Sequence, residues 1–263
     1  AVNGLHKTWP VLNQGGSLHV KKGFPEPARL HQAVSLLTTT SPSYPLLASM
    51  ELARLFMEQE GHKKLEQARR WSVEYRKKIN QIKGLHCHAD ELKARTAISG
   101  IDPLKIVISL PGLTLNGYQL SAILREQYHI QLEMETELVI LAMFSPFHEV
   151  EDWERFYLAL QEIAAGYAGK KNRPRQVEAP PAPQVVLSPR RAYQSAKINV
   201  ALAASRNMIS GEMVAGYPPG IPCLLPGERI SEEILDYLFY LKRSGARIQG
   251  PSDAKLDHIM VIE

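Results

Sequence analysis

The chain has 263 residues, 44% of them hydrophobic, with 31 basic and 27 acidic side chains and a formal net charge of +4. That suits one large folded domain or two to three small ones, and no apolar run approaches the ~20 residues that span a bilayer. Two distant cysteines, Cys87 and Cys223, make no disulfide framework, so a reducing cytoplasm is the expected location, with no membrane partner and no signal peptide.

The first stretch reads as strand, loop, strand. Gly15 and Gly16 break the chain, and Ser17 to Val20 is apolar enough for the second strand. An apolar strand that starts at Ala1 suggests a fragment, a truncated gene or a partial chain. Pro25 and Pro27 mark a turn, after which Leu30, Val34 and Leu37 share a short helical face. The serines and prolines of Ser41-Pro42-Ser43-Tyr44-Pro45 signal a helix start. Leu46, Leu47, Met50, Leu55 and Phe56 form its apolar face as far as Gly61. A second helix is expected from about Lys63 to Ile82. Its basic residues, Lys63, Lys64, Arg69, Arg70, Arg76, Lys77 and Lys78, are interleaved with Glu66 and Glu74. That mixture, without an aromatic stacking array, is a solvated face and gives no nucleic-acid partner.

From Gly84 to Gly169 the pattern becomes α+β. Strands are expected at 105–110, at 130–134 from its alternation, and at 138–144 from a continuous apolar run. Helices are expected at 116–126 and 153–167. Lys170 to Ser188, with Pro174, Pro180, Pro181 and Pro183, reads as an extended linker. A helix opens at Ser188-Pro189 and reaches towards Leu202 and Ala203. Another runs from Ser231-Glu232-Glu233 to Gly245.

Several residues could carry chemistry. Lys7 follows His6 at the end of the first strand. An amine must shed its proton to attack an aldehyde, and burial or a cationic neighbour favours that; the plain alternative is an exposed loop lysine. Thr39-Thr40-Ser41-Pro42 could cap a helix or offer hydroxyls and amides to a phosphate. Tyr217-Pro218-Pro219-Gly220-Ile221-Pro222 fixes a rigid path with a glycine turn. Glu212 before it could pair with a distal ammonium or guanidinium, or could be a surface carboxylate. His86-Cys87-His88 with Asp90 invites a metal reading, since strand alternation would place both imidazoles on one face. No second Cys/His cluster completes a zinc site, so these read as ordinary strand residues and no metal is expected.

The Gly4-Leu5-His6-Lys7-Thr8-Trp9-Pro10 run, the Thr39–Pro45 run and the Tyr217–Pro222 string together resemble the pyridoxal-phosphate decarboxylases of ornithine, lysine and arginine. The resemblance covers nearly the whole chain, from the cofactor lysine onward. It implies an α/β and α+β fold. Residues 1–82 would be the remainder of a fold type I, aminotransferase-like cofactor domain with its connecting helices. Residues 83–169 would be a small α+β domain, 170–187 the Pro-rich linker, and 188–263 the family's C-terminal domain. It also implies that Lys7 links covalently to pyridoxal 5'-phosphate and that His6 and the adjacent loop help hold its phosphate. Thr40 and Ser41 would reach the phosphate in a neighbouring subunit of a homodimer. Glu212 would face a basic amino-acid substrate. Many family members have serine where Gly4 stands, so the hydroxyl contact to phosphate is missing here. In the family, the carboxylate on the pyridine nitrogen and the ring stacked on the cofactor come from upstream of the lysine. The implied activity is decarboxylation to a diamine or agmatine, within polyamine metabolism, by a partial enzyme. The alternatives are a non-catalytic assembly or regulatory module, and an enzyme whose N-terminal half is a separate chain.

Overall fold

The computed structural model describes residues 1–94, 97–169, 180–217 and 220–263. It divides into two units, 1–70 with 145–148, and 71–144 with 149–263.

In the first unit, β1 (Val2–Gly4) pairs antiparallel with β2 (Gly16–Leu18), placing Gly4 opposite Gly16. The loop between them opens with a 3-10 turn, Leu5–Lys7. Helix α1 spans Pro27–Leu37 and buries no residue. Helix α2 spans Tyr44–Gln59 and buries Ala53 alone. Pro27 and Pro45 sit in the first turns of these helices, where a missing N–H costs nothing. Helix α3 spans Gly61–Asn80, and the division between units falls inside it. Leu36 and Leu37 are each 83% exposed.

The second unit holds two hydrophobic cores. The first is built on an antiparallel sheet ordered β3-β4-β6-β5. Its strands are β3 (His86–Cys87), β4 (Lys105–Ser109), β5 (Met134–Glu135) and β6 (Val139–Met143). Alternation sends Ile106 and Ile108 of β4, and Ile140 and Ala142 of β6, to one buried face. Helix α4 (Gly117–Tyr128) and helix α5 (Val150–Gly166) contribute to this core. Asn116 and Gln119 close a reciprocal capping box on α4. On α5, Trp153, Phe156, Leu160 and Ile163 recur at helical spacing and are buried. Trp153 stacks on Phe144 with ring centroids 3.6 Å apart.

The expected strand at 130–134 shortens to Met134–Glu135. The reason is local. His129 turns left-handed at φ 56°, and the Ile130 N–H closes α4 on the Leu124 carbonyl at 2.9 Å. A backbone donor spent on a helix end is not free for a ladder.

The second core is the C-terminal part. Its elements are α6 (Pro189–Gln194), β7 (Lys197–Ala201), β8 (Val214–Tyr217), β9 (Ile221–Leu224), α7 (Glu232–Ser244), β10 (Arg247–Gln249) and β11 (His258–Ile262). Strands order as β10-β8-β9 and β11-β7. Helix α7 runs from a Ser231 cap to a left-handed Gly245 and buries Ile234, Leu235, Leu238 and Leu241. The helix expected from Ser188 towards Leu202 stops at Gln194. There the Ser195 hydroxyl and N–H both take the Arg191 carbonyl, and Lys197–Ala201 pairs with β11 instead. Gly220 adopts φ +80° in the β8–β9 turn, as the proline-glycine string requires; Pro218 and Pro219 lie outside the described residues, as do 170–179 of the expected linker. Hydrogen bonds join the two cores. Asn116 Nδ2 donates to the Ser244 carbonyl, and the Tyr240 hydroxyl donates to Glu137 at 2.6 Å.

Candidate active site

The lysine loop is held by its own main chain. Trp9 N–H donates to the Leu5 carbonyl at 2.9 Å, which tightens the turn carrying Lys7. Val11, whose side chain is buried, packs against the buried Gly15. A Cβ on Gly15 would sit 2.4 Å from Val11 Cγ1, so only glycine lets the two arms of the loop approach this closely. Leu12 N–H donates to Ser49 Oγ at 3.2 Å, which moors the loop to α2.

This framework fixes His6. Its Nδ1 lies 2.9 Å from the Gly15 carbonyl oxygen. A carbonyl only accepts, so Nδ1 carries the proton and Nε2 is left as the basic nitrogen. Lys7 is exposed at the end of the turn. An ideal Cβ on Gly4 would lie 3.4 Å from His6 Cε1 and 3.7 Å from Lys7 Cγ. The Gly4 backbone, the His6 ring and the Lys7 stem therefore converge. Gly4 has φ −81°, so a serine would fit there without backbone strain.

Thr40 and Ser41 are exposed just before α2. Ser41 N–H donates to Thr39 Oγ1 at 3.1 Å, and the N-cap residue Ser43 makes no side-chain cap bond. The run marks a helix start, as expected, without side-chain capping.

Glu212 lies in the second unit and is engaged by the chain itself. Oε2 accepts from the Ser252 N–H at 2.8 Å and the Ser252 hydroxyl at 2.6 Å; Oε1 accepts from the Met260 N–H at 2.9 Å. It thereby ties β11 and the 252 turn to the segment before β8.

Arg76 departs from its expected place. It was expected on the solvated face of α3, yet it is 8% exposed. Its guanidinium donates to the carbonyls of His88, Pro103 and Lys105. The other charges on that helix behave as expected, with Glu66 pairing Arg69 and Arg70, and Glu74 pairing Lys78.

The fold is that of solved lysine decarboxylases. The constitutive lysine decarboxylase of E. coli superposes with a TM-score of 0.75 at 20% identity, covering 100% of this chain and 49% of that one. The lysine decarboxylase of Francisella novicida gives 0.73 at 23%, covering 100% and 48%. The protein thus has the fold of about half of each of those chains. In sequence, the major domain of the Orn/Lys/Arg decarboxylases matches residues 1–152, and their C-terminal domain matches 172–252. The chain belongs to the Orn/Lys/Arg decarboxylase family. Arginine decarboxylase of Bacillus subtilis is 34% identical over all of this chain, and lysine decarboxylase of Hafnia alvei 26% over 93% of it. The chain spans 54% of the former's length and 44% of the latter's. No helix among the described residues is long and apolar enough to cross a membrane.

Proposed function

We propose that this chain supplies the cofactor-lysine half of a pyridoxal-phosphate-dependent decarboxylase of a basic amino acid. The observation that carries the reading is the convergence of Lys7, the oriented His6 ring and the Gly4 backbone on one loop of this family's fold. One amine, one imidazole and backbone N–H groups suit an aldehyde that bears a phosphate. Pyridoxal phosphate, when bound, supplies an electron sink for bond cleavage at the α-carbon.

The chain's own residues have distinct tasks in this reading. Lys7 Nζ would hold the cofactor, and Nζ or, once it has taken up a proton, His6 Nε2 would supply the proton that replaces carbon dioxide at the α-carbon. Thr40 and Ser41, at the uncapped start of α2, bind phosphate across a homodimer. Glu212 holds the C-terminal strands, since both its oxygens already accept bonds. The domains divide at about 82, 169 and 187, and the working location is the cytoplasm, in polyamine synthesis. Arginine is the first substrate to test, because relatives at 33–34% identity are named arginine decarboxylase and those named lysine decarboxylase lie at 22–26%.

The family's carboxylate for the pyridine nitrogen and its stacking ring lie upstream of the lysine. The 263 residues by themselves should therefore bind the cofactor weakly and release little agmatine or diamine. The test is borohydride reduction with pyridoxal phosphate, followed by peptide mass mapping, in the chain joined to the upstream half of a family relative. Label on Lys7, lost in Lys7→Ala together with decarboxylation of arginine, lysine or ornithine, supports the proposal. An unlabelled Lys7 peptide in an assembly that folds overturns it and favours an assembly module.

A further inference from the structure

We infer that His86, His88 and Glu91 form a binding site for a divalent transition metal, with Zn2+ as the reference ion. The set lies on the small α+β domain, and the inference is independent of the cofactor reading. Among the described residues, these three are the one group of His, Cys, Asp and Glu side chains close enough to share an ion.

The backbone brings them together in two ways. β3 is an edge strand, with His86 opposite Ser109 and Cys87 opposite Ile108 in β4. The His88 N–H continues the ladder to the Val107 carbonyl at 2.9 Å. Strand alternation therefore sends the two imidazoles to one face and the Cys87 side chain into the core, where it is 0% exposed. A 3-10 turn, Asp90–Ala94, then folds Glu91 back towards the strand. Both Glu91 oxygens accept from the Ala89 N–H at 2.9 Å, which orients the carboxylate.

The distances fit a metal. Glu91 Oε1 lies 3.3 Å from His86 Nε2 and 3.5 Å from His88 Nδ1. Ligands about 2.0–2.1 Å from a tetrahedral zinc stand roughly 3.3 Å apart from one another. All three ligand atoms lie within 4.8 Å of one another, so the remaining gap closes by a small turn of an imidazole. The rings meet edge to face with centroids 4.6 Å apart. The side chains of His86 and Glu91 are about half exposed, at 47% and 48%, which leaves water to complete the coordination sphere. Two imidazoles and one carboxylate suit zinc and its neighbours better than calcium or magnesium, which prefer oxygen alone. The bound ion would clip the Asp90–Ala94 turn onto the edge strand.

The competing arrangement is a proton-mediated pair between Glu91 and the two histidines, and a titration separates them. Purified chain is titrated with Zn2+ against a chromogenic chelator at pH 7.5, while 15N spectra of the histidine rings are followed. One equivalent should bind, and the His86 and His88 rings should shift ahead of the other histidines. Removing a second-shell partner lowers metal affinity roughly 10–100-fold, so His86→Gln or His88→Gln should cost no less. Glu91→Gln should weaken binding by a smaller factor. All three changes fall at the surface of an edge strand or turn, and circular dichroism checks the fold. Dissociation constants weaker than roughly 100 μM, an unchanged affinity in the His86→Gln/His88→Gln double variant, or first shifts at other histidines would each overturn the site. The spectra of the unmodified chain decide the matter even if a variant misfolds.

Discussion

The two units of the chain differ in where their apolar side chains go. From Trp71 onward, strands and helices bury large residues in two cores, among them Ile108, Ile140, Trp153 and Leu160 in one and Leu224, Ile234 and Leu238 in the other. In residues 1–70 the buried hydrophobic side chains are Val11, Ala53 and Ala68. Leu36, Leu37, Leu52 and Tyr44 stand in solvent on helices that are otherwise well formed. Isolated helices of 11 and 16 residues are marginal in water, because most helix stability comes from packing. The part with the proposed chemistry is thus the part least able to hold itself together. Stability and site have been placed in different stretches of one chain.

The largest expected effects lie in the second unit. Leu160→Ala removes a side chain that is 1% exposed at the centre of the first core. It should cost about 2–5 kcal/mol by transfer and cavity formation, measured by urea denaturation. A loss below about 1 kcal/mol would mean that this core is not what stabilises the unit. Next is Arg76→Ala, which takes the guanidinium from the carbonyls of His88, Pro103 and Lys105, of which Pro103 keeps the Ser72 hydroxyl. About 2–3 kcal/mol is expected, since buried acceptors lose a charged donor. Arg76→Lys should recover only part of this, because a single ammonium cannot match the guanidinium fork.

A pH test reaches the same unit from another side. Burial pushes the Cys87 thiol from its ordinary 9.0 up to about 11. The folded chain therefore keeps a proton that the unfolded chain loses first. The contribution is fully present below pH 9 and is lost as pH rises towards 11. For Cys87 alone this is on the order of 2 kcal/mol. Cys223 is also held up to about 11 by burial and adds in the same direction. Stability measured from pH 8 to 11 should fall, and Cys87→Ser should flatten part of the slope. An unchanged slope in that variant would place the alkaline loss elsewhere.

What could be read beforehand follows the same divide between local and non-local causes. Helix α7 was legible to within a residue, because Ser231 and Gly245 carry their own start and stop chemistry. Gly220 was legible because its string demands a left-handed turn. Strand 130–134 was not, because its alternation cannot show that Ile130 gives its N–H to the end of α4. Arg76 was hidden for a related reason. A charge on a helix face is usually solvated, and nothing local reveals three carbonyls arriving from residues 88, 103 and 105. At the candidate site, the glycines flanking the loop marked its turn, but the His6 to Gly15 bond requires the hairpin register. Glu91 was passed over beside His86 and His88 because only the 3-10 turn brings it back.

The smallest effect is the one that bears most on the comparison. Leu36→Ser with Leu37→Ser changes two side chains that touch little in this chain, so stability should shift by no more than about 0.5 kcal/mol. Hydrogen exchange should agree, with α1 amides poorly protected and those of β4 and β6 strongly protected. In the assembly with the upstream half of a family relative, the outcome should reverse if these leucines become buried. Each Leu would then remove about 1.5–3 kcal/mol of favourable burial when changed, and formation of the assembly should weaken accordingly. A large loss in the chain alone would show that α1 already packs within the first unit. No loss in either setting would show that the exposed face takes no part in the joined protein, and the first unit would then need another source of stability.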